Sequence, residues 1–365
     1  MIGKEFSMKA NPFTLQFGIE PNQFINRLTP TENILDTFRA EMPATRLFLI
    51  SGIRGSGKTV LLQTISEELS KSDDWVTVDV SPDMDILRAI AAKLYSRPEL
   101  KKMFVKAKLD FSAFGLGVKM EGATEFFDLP FALERMIEEL ARKGFRLLIT
   151  LDEVVSNNYV KEFAGTYQIL MRKKLPVFLL MTGLYENIRQ LQNEKTLTFL
   201  YRAPMEILSP LNLSAIRRSY AATFQMSPEE AAKLAALTKG YAYAYQVLGY
   251  LYWKYNVEED RSFTPEQLLP DYDSYLEEYS YEKIWFELPA TEKQIIAHLI
   301  LNGKLPVSEL REKTSLKSYE FSVYRDRLKK KGIVDVSEYG FLSLNLPRFE
   351  EILHMRASEY LEQQE

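Results

Sequence analysis

The sequence contains no cysteine and only two histidines, His298 and His354. Without cysteine there can be no disulfide, no thiolate metal site and no cysteine nucleophile. Neither histidine has around it the motif that a Ser-His-Asp triad or a multi-histidine zinc site requires. The composition therefore excludes several large enzyme classes and fits a reducing cytosol.

Long hydrophobic runs and a strong charge imbalance are also missing. The longest apolar stretches, such as Val177–Met181, are far shorter than the roughly 20 residues that span a bilayer. The opening residues MIGKEFSMKANPF include no apolar segment typical of a signal peptide. We therefore expect a cytoplasmic protein without a membrane partner. The formal net charge of -4 argues against a surface coated in basic residues, although a local basic patch is still compatible with it.

The clearest motif begins after a short apolar run, Leu47–Ser51, which is typical of a buried strand. The next eight residues, GIRGSGKT from Gly52 to Thr59, fit the P-loop pattern G-x-x-x-x-G-K-[ST]. From Leu61 onward, apolar residues recur at helical spacing. Because a P-loop needs this strand–loop–helix context, the segment predicts a phosphate site for ATP.

The residue types of the P-loop explain its chemistry. Glycines let the backbone wrap closely around phosphate oxygens with its N–H groups pointing inward. Lys58 would reach the β- and γ-phosphates, and the Thr59 hydroxyl would ligate Mg²⁺. The arginine of the loop would form a structural ion pair, or alternatively a phosphate contact. The predicted nucleotide-binding residues here are Gly52, Ile53, Arg54, Gly55, Ser56, Gly57, Lys58, Thr59 and Val60.

A second acidic motif follows the apolar strand Arg146–Leu151. Ligands gather at the carboxyl ends of parallel strands, and here the strand is followed directly by Asp152 and Glu153. Asp152 would hold Mg²⁺ through water, and Glu153 would orient or activate the attacking water. A small-molecule kinase needs no second carboxylate, because its acceptor is a bound substrate. The pair therefore favours hydrolysis of ATP over phosphoryl transfer to a metabolite.

Two further residues have alternative interpretations. Thr182 ends a third apolar strand, and its hydroxyl would either contact the γ-phosphate or attacking water or cap the next turn. Arg202 precedes another apolar stretch, and it would either reach a neighbouring subunit's γ-phosphate or form a surface salt bridge. The first role of Arg202 requires a homo-oligomer. The predicted catalytic residues are Lys58, Glu153, Thr182 and Arg202.

These elements, in this order, resemble the AAA+ superfamily, and more narrowly the archaeal-type and initiator-like ATPases related to the STAND class. The segments Asn11–Phe13, Phe17–Gly18 and Pro21–Arg27 are similar to the adenine-side box of that family, with Asn26 where a glycine is usual. The resemblance implies an adenine pocket lined by Pro21, Phe24 and Ile25.

The same resemblance assigns further roles. Asp152 and Glu153 match the Walker B carboxylates, Thr182 matches sensor 1, and Arg202 matches the arginine before the last core strand. The lid of the family often carries a sensor 2 arginine after a glycine. Here that stretch reads GYAYAYQ from Gly240 and contains no arginine, so a lid that acts through this arginine is not expected.

Alternating strands and helices predict a parallel sheet with helices on both faces. We predict an α/β P-loop NTPase core at 1–207 with a β-hairpin insertion at about 109–127, a helical lid at 208–280 and a winged-helix domain at 281–365. In the lid, the aromatic run from Tyr241 to Trp253 indicates helix packing. Three motifs with proline after a hydroxyl residue predict helix starts at Thr29, Ser227 and Thr264.

We predict a winged helix in the C-terminal region, with its third helix at Ser318–Lys331. Phe321, Tyr324 and Leu328 would face the core. Between Lys317 and Lys331 there are six basic residues against two acidic ones, which favours double-stranded DNA as a partner. The alternative is a protein partner, because lysines at a helix C-terminus also suit the helix dipole.

Two functional hypotheses follow. The first is an ATP-hydrolysing switch that couples nucleotide state to DNA binding through the winged helix. The second is a signalling or defence ATPase whose C-terminal domain binds a protein, with ATP controlling assembly. Both use the same core residues, and DNA-stimulated ATPase activity would distinguish them.

Overall fold

The computed structural model describes residues 10–16, 21–117, 121–122, 124–126 and 128–364. The helices in these ranges are α1 (Leu28–Arg39), α2 (Lys58–Ser70), α3 (Ile86–Ser96), α4 (Pro98–Lys106), α5 (Leu129–Arg142), α6 (Asn158–Arg172), α7 (Tyr185–Gln192), α8 (Leu213–Phe224), α9 (Pro228–Ala236), α10 (Ala242–Trp253), α11 (Leu269–Leu276), α12 (Glu282–Glu287), α13 (Ala290–Asn302), α14 (Val307–Thr314), α15 (Ser318–Lys331) and α16 (Phe349–Glu362). Short 3-10 turns lie at Ser112–Phe114, Thr198–Arg202 and Pro265–Leu268, and π-helical segments lie at Lys254–Glu258 and Glu277–Tyr281. None of the helices in these ranges combines the length and the apolar character that crossing a bilayer demands.

The strands are β1 (Leu47–Ser51), β2 (Trp75–Val80), β3 (Leu109–Asp110), β4 (Thr124–Glu125), β5 (Arg146–Leu151), β6 (Val177–Gly183), β7 (Met205–Ile207), β8 (Leu305–Pro306), β9 (Val334–Asp335) and β10 (Phe341–Leu344). The chain forms two compact units. One contains Arg27–Ser51 and Lys58–Ile207, and the other contains Gly52–Gly57, Leu208–Glu365 and the described residues before Arg27. The three-domain division stays a prediction.

A five-stranded parallel sheet in the order β2-β5-β6-β1-β7 lies in the first of these units. Every residue of β1 and β6 is buried, and so is β5 after its first residue. Strands of this kind need helices on both sheet faces, which explains their continuous apolar sequences. The structure confirms the predicted α/β fold class.

The helices after β7 surround an aromatic core. The ring of Phe13 lies 6.0 Å from that of Tyr220, 5.6 Å from that of Phe224 and 5.5 Å from that of Tyr245 between centroids. A Cβ atom on Gly249 would meet the Phe13 ring at 2.5 Å, so α10 needs glycine at this point of close approach. The predicted packing role of the aromatic run is confirmed, because Tyr241, Tyr243, Tyr245 and Trp253 are buried.

The C-terminal elements are helices and a small antiparallel sheet, in the region predicted to be a winged helix. Helices α13, α14 and α15 accompany an antiparallel sheet in the order β8-β10-β9. Phe321 and Leu328 are buried as predicted, and Tyr324 is half-buried. Gly332 ends α15 with a φ of 79°, the left-handed conformation typical of a C-terminal glycine.

The described residues of the predicted β-hairpin near 109–127 include two short strands that do not pair as a hairpin. The strands in this segment are two residues long and pair in parallel, Leu109 with Thr124 and Asp110 with Glu125. A hairpin would require antiparallel pairing. The segment also packs through aromatic residues, since the buried rings of Phe111 and Phe126 stack at 5.3 Å between centroids.

Two of the three predicted helix starts are confirmed. Ser227 and Thr264 both take part in capping boxes, although the second begins a 3-10 turn. Thr29 does not begin a helix, because α1 already starts at Leu28 and the N–H of Thr31 donates to the carbonyl of Arg27 at 3.1 Å. A proline is tolerated in the first turn of a helix, so this motif can lie inside the helix as well as before it.

Candidate nucleotide-binding site

Three polar side chains meet beside the sheet. Asp152 follows β5 directly, Thr182 lies near the end of β6, and Thr59 is the second residue of α2. The Thr59 hydroxyl donates to Oδ2 of Asp152 at 2.6 Å, and the Thr182 hydroxyl donates to Oδ1 of the same carboxylate. Thr182 is completely buried. The carboxylate is thus oriented by a hydroxyl from the predicted P-loop helix and a hydroxyl from the neighbouring strand.

Glu153 has a left-handed backbone with a φ of 54°. This conformation is unfavourable for a residue with a side chain, and such residues often lie at functional sites. Two hydrogen bonds hold it, because its N–H donates to Asp152 Oδ1 and to Thr182 Oγ1, both at 3.1 Å. The Glu153 side chain is exposed. Thr182 therefore supports the two carboxylate residues, while its contact with the γ-phosphate stays a prediction.

The loop Gly52–Gly57 connects β1 to α2, as the motif requires. Gly55 and Gly57 have φ values of 71° and 89°, which a residue with a side chain rarely adopts. Lys58 is the first residue of α2 and is only 7% exposed. A largely buried ammonium group at a helix N-terminus adds positive charge to the end of the helix dipole, which itself favours anions.

The residues present fit a magnesium ion. Thr59 and Asp152 offer a hydroxyl oxygen and carboxylate oxygens, the ligand types that Mg²⁺ prefers. In the described part of the chain, no three His, Cys, Asp or Glu side chains cluster as a metal site. Mg²⁺ commonly takes only one or two protein ligands and completes its shell with phosphate oxygens and water. The small donor set therefore suits Mg²⁺ that arrives with a nucleotide.

The outer side of the P-loop has partners that the sequence did not predict. The Tyr241 hydroxyl donates to the carbonyl of Arg54 at 2.6 Å, and the N–H of Tyr243 donates to the carbonyl of Gly55 at 3.0 Å. The Arg54 side chain forms an ion pair with Glu287 at 2.9 Å, which confirms the structural ion pair predicted for the arginine of the loop. The only sequence signal for these contacts is the aromatic run after Gly240.

The segment predicted to lie beside adenine packs on α10, in the predicted lid. The N–H of Gln23 donates to the carbonyl of Pro12 at 3.0 Å, and the Gln246 side chain of α10 donates to the carbonyl of Gln23 at 2.7 Å. Phe17 and Gly18 lie outside the described residues. The three predicted adenine-side residues are buried or half-buried, and their contact with adenine stays a prediction: Pro21, Phe24 and Ile25.

Arg202 is exposed at the end of the 3-10 turn that precedes β7. Among the described residues it forms no ion pair. This observation argues against the surface salt bridge and leaves the guanidinium accessible to a neighbouring subunit.

No model of a known protein family matches the chain, and no curated protein matches its sequence. Solved structures do match. The ORC2 protein of Aeropyrum pernix, solved with ADPNP and ADP, superposes with a TM-score of 0.59 at 15% identity, covering 96% of this chain and 97% of that chain. The chain therefore shares the fold of that protein. Cdc6p from Pyrobaculum aerophilum has a TM-score of 0.49, also at 15% identity and with the same coverage. Identity this low establishes a shared fold alone, so function has to be argued from the site.

Proposed function

We propose that this protein is a Mg²⁺-dependent ATPase that uses its nucleotide state to control binding of DNA by the winged helix. The proposal rests on the arrangement of the Thr59 and Thr182 hydroxyls around the Asp152 carboxylate, next to the P-loop lysine. The protein of the same fold that was solved with ADPNP and ADP supports a nucleotide ligand. A cytoplasmic location, predicted from the sequence, is part of the same proposal.

Each residue of the site would have a separate role in ATP binding or hydrolysis. Lys58 would bind the β- and γ-phosphate oxygens as a charged donor. Thr59 and Asp152 would hold Mg²⁺, which when bound neutralises phosphate charge. Glu153 would orient the attacking water and accept its proton, because its exposed carboxylate extends from a backbone that two hydrogen bonds fix. Thr182 would keep the two carboxylate residues in this arrangement.

Replacing Arg202 by alanine should lower ATP hydrolysis without weakening ATP binding to the monomer, if the guanidinium acts on the transition state in a neighbouring subunit. Phosphate release measured on mixtures checks this. Arg202→Ala and Glu153→Gln subunits, each inactive alone, should recover partial activity together, because some interfaces then pair an intact Arg202 with an intact Glu153.

Arg172→Ala is a matched control, since Arg172 is also exposed and forms no ion pair in the described part of the chain. It should keep the activity of the parent. No recovery in a mixture shown to contain mixed oligomers would rule out a role in a neighbouring subunit.

The DNA-binding part of the proposal rests on α15. Arg325, Arg327 and Lys329 are exposed, and none of them forms an ion pair with any described residue. Arg327 lies over the ring of Tyr324, with its Cζ atom 5.8 Å from the centroid. These three cations supply a local basic patch on a chain whose net charge is -4.

The patch is smaller than the sequence indicates. Lys330 pairs with Asp326, and Lys331 pairs with the fully buried Glu292, each at 2.6 Å. Two of the six basic residues are thus neutralised within the protein. Phosphate contacts are therefore expected from Arg325, Arg327 and Lys329, with base contacts from residues near the start of α15.

Replacing Arg325 and Arg327 together by alanine should weaken binding to all duplexes alike, because phosphate contacts carry little sequence information. The slope of log affinity against log salt should fall by roughly 0.9 for each phosphate that the variant no longer neutralises. Fluorescence anisotropy with a labelled duplex at several salt concentrations measures both effects. The double change Lys102→Ala and Lys106→Ala on α4 alters the net charge equally and should leave the slope unchanged.

ATP should change DNA affinity only if the nucleotide selects between conformations that differ in DNA contact. An absence of duplex binding by the parent at low salt, with and without ATP, would end the DNA hypothesis.

Binding of a protein partner is the second candidate function, and exposed apolar groups favour it. Tyr319 and Val323 on α15 are 66% and 49% exposed, and Tyr339 in the wing is fully exposed. Aromatic residues of this kind are enriched at protein interfaces. In that case the same nucleotide switch would control assembly with a protein, and duplex DNA would not stimulate hydrolysis.

A further inference from the structure

Two hydrogen bonds in series, both pointing the same way, end at the carbonyl oxygen of Arg54. A carbonyl oxygen can only accept, so the proton of the Tyr241 hydroxyl is used for Arg54. The hydroxyl of Ser280 lies 2.7 Å from that of Tyr241 and must therefore be the donor in their contact. Hydrogen bonds in series polarise one another, and more so in a buried environment. Ser280 and Tyr241 are both buried, at 1% and 5% exposure.

This chain of bonds fixes the direction of the next N–H group. The peptide bond between Arg54 and Gly55 is planar and trans, so its C=O and N–H point to opposite sides. The lid holds the carbonyl on one side, and the N–H of Gly55 therefore points to the other. In a P-loop, backbone N–H groups that point into the loop surround the phosphates.

Gly55 itself supports this interpretation. The P-loop pattern requires glycine at its first and sixth positions, which are Gly52 and Gly57, but not at Gly55. A Cβ atom on Gly55 would lie 2.4 Å from the Tyr241 hydroxyl oxygen and 2.8 Å from Cβ of Tyr243. The close approach of the lid, together with a φ of 71°, explains why glycine occupies the position.

The same segment also contacts the side chain of Arg54. Ser280 immediately precedes the last residue of the π-helical segment Glu277–Tyr281, α12 follows, and Glu287 at the end of α12 pairs with the Arg54 guanidinium at 2.9 Å. One short stretch of chain between the lid and the winged helix thus makes two contacts with Arg54. Ser280 acts on its carbonyl through Tyr241, and Glu287 pairs with its side chain. Burial raises the pKa of Tyr241, so the hydroxyl keeps the proton that this contact needs.

We propose that Tyr241 is a positioning residue of the nucleotide site. Its hydroxyl holds the peptide group between Arg54 and Gly55 so that the N–H of Gly55 is directed toward nucleotide phosphate. Tyr241 thereby links the lid to the P-loop in a protein whose lid has no arginine at the start of α10. The inference rests on the proposed ATP site and adds to it the residue that orients the loop.

The test is the affinity for Mg²⁺–ATP, measured by calorimetry on the full chain. Tyr241→Phe keeps the ring and removes only the hydroxyl, and we expect the dissociation constant to rise roughly fivefold. Ser280→Ala should raise it less, by roughly twofold. The double variant should match Tyr241→Phe alone, because Ser280 acts only through the Tyr241 hydroxyl, and this non-additivity is a result that general loosening of the lid would not give.

Tyr272→Phe is the matched control. Tyr272 is buried in the same unit, but its hydroxyl donates to the carbonyl of Leu237 at 3.0 Å and not to a P-loop group. The Tyr272→Phe variant should lose about as much stability in thermal unfolding as Tyr241→Phe, but it should bind ATP like the parent. If the parent binds ATP, Lys58→Ala does not, and Tyr241→Phe binds as tightly as the parent, the positioning role is wrong while the ATP site stands. A parent that binds no ATP would overturn both.

Discussion

Replacing Lys58 by alanine is expected to abolish tight ATP binding, with a loss of affinity of at least about a hundredfold, since charge-assisted contacts to phosphate are among the strongest hydrogen bonds in proteins. Lys58 begins α2 directly after the loop, and its side chain is largely buried. The change therefore removes a positive charge beside the predicted phosphates that solvent cannot replace. Isothermal calorimetry with Mg²⁺–ATP measures the effect.

Lys71→Ala provides the comparison for this experiment. Lys71 is a charged residue just after the same helix, exposed and paired with Glu68. Its removal changes the net charge equally and should leave the affinity for ATP unchanged. Circular dichroism should show that both variants are folded. Unchanged ATP affinity in folded Lys58→Ala would overturn the assignment of the P-loop.

Replacing Glu153 by glutamine should preserve ATP binding and trap the nucleotide unhydrolysed. Glutamine keeps the shape of the side chain and leaves Thr59 and Asp152 in place, but it cannot accept a proton from water. The loss of a general base typically lowers the rate by about a hundredfold to ten-thousandfold. Single-turnover phosphate release, together with calorimetric affinity, separates the chemical step from binding.

A suitable control is Glu162→Gln on α6, where an exposed carboxylate lies in the same unit as Glu153. It should hydrolyse ATP at the rate of the parent. Turnover by Glu153→Gln within about twofold of the parent would show that Glu153 is not catalytic, because the contribution expected of a general base is far larger.

The parts of the fold that local sequence determines were predicted well. Leu47–Ser51 is a strand with the predicted bounds, because an uninterrupted apolar run can be satisfied only in the buried centre of a sheet. The helix Ser318–Lys331 also begins and ends where predicted, since the glycine that follows it provides a local stop signal. The acidic pair after β5 was placed correctly beside the P-loop helix, because the carboxyl ends of neighbouring parallel strands meet at one edge of the sheet.

Long-range contacts could not be predicted in this way. Tyr241 and Arg54 are separated by 187 positions, and the aromatic run around Tyr241 does not show which distant residue its hydroxyl contacts. The pairing of Lys331 with Glu292 is also a long-range contact. It makes the basic patch on α15 smaller than the sequence of the helix indicates. The short parallel pairing of β3 with β4 also depends on tertiary packing rather than on alternation.

The most direct test of the account is the rate of phosphate release from Mg²⁺–ATP by the parent protein, measured with and without duplex DNA and compared with Lys58→Ala. We predict release by the parent well above that of Lys58→Ala, and a clear change in the rate when duplex is added. A rate that changes with DNA would support the proposed coupling of the nucleotide site to the winged helix. Release by the parent no greater than that of Lys58→Ala under both conditions would contradict the account.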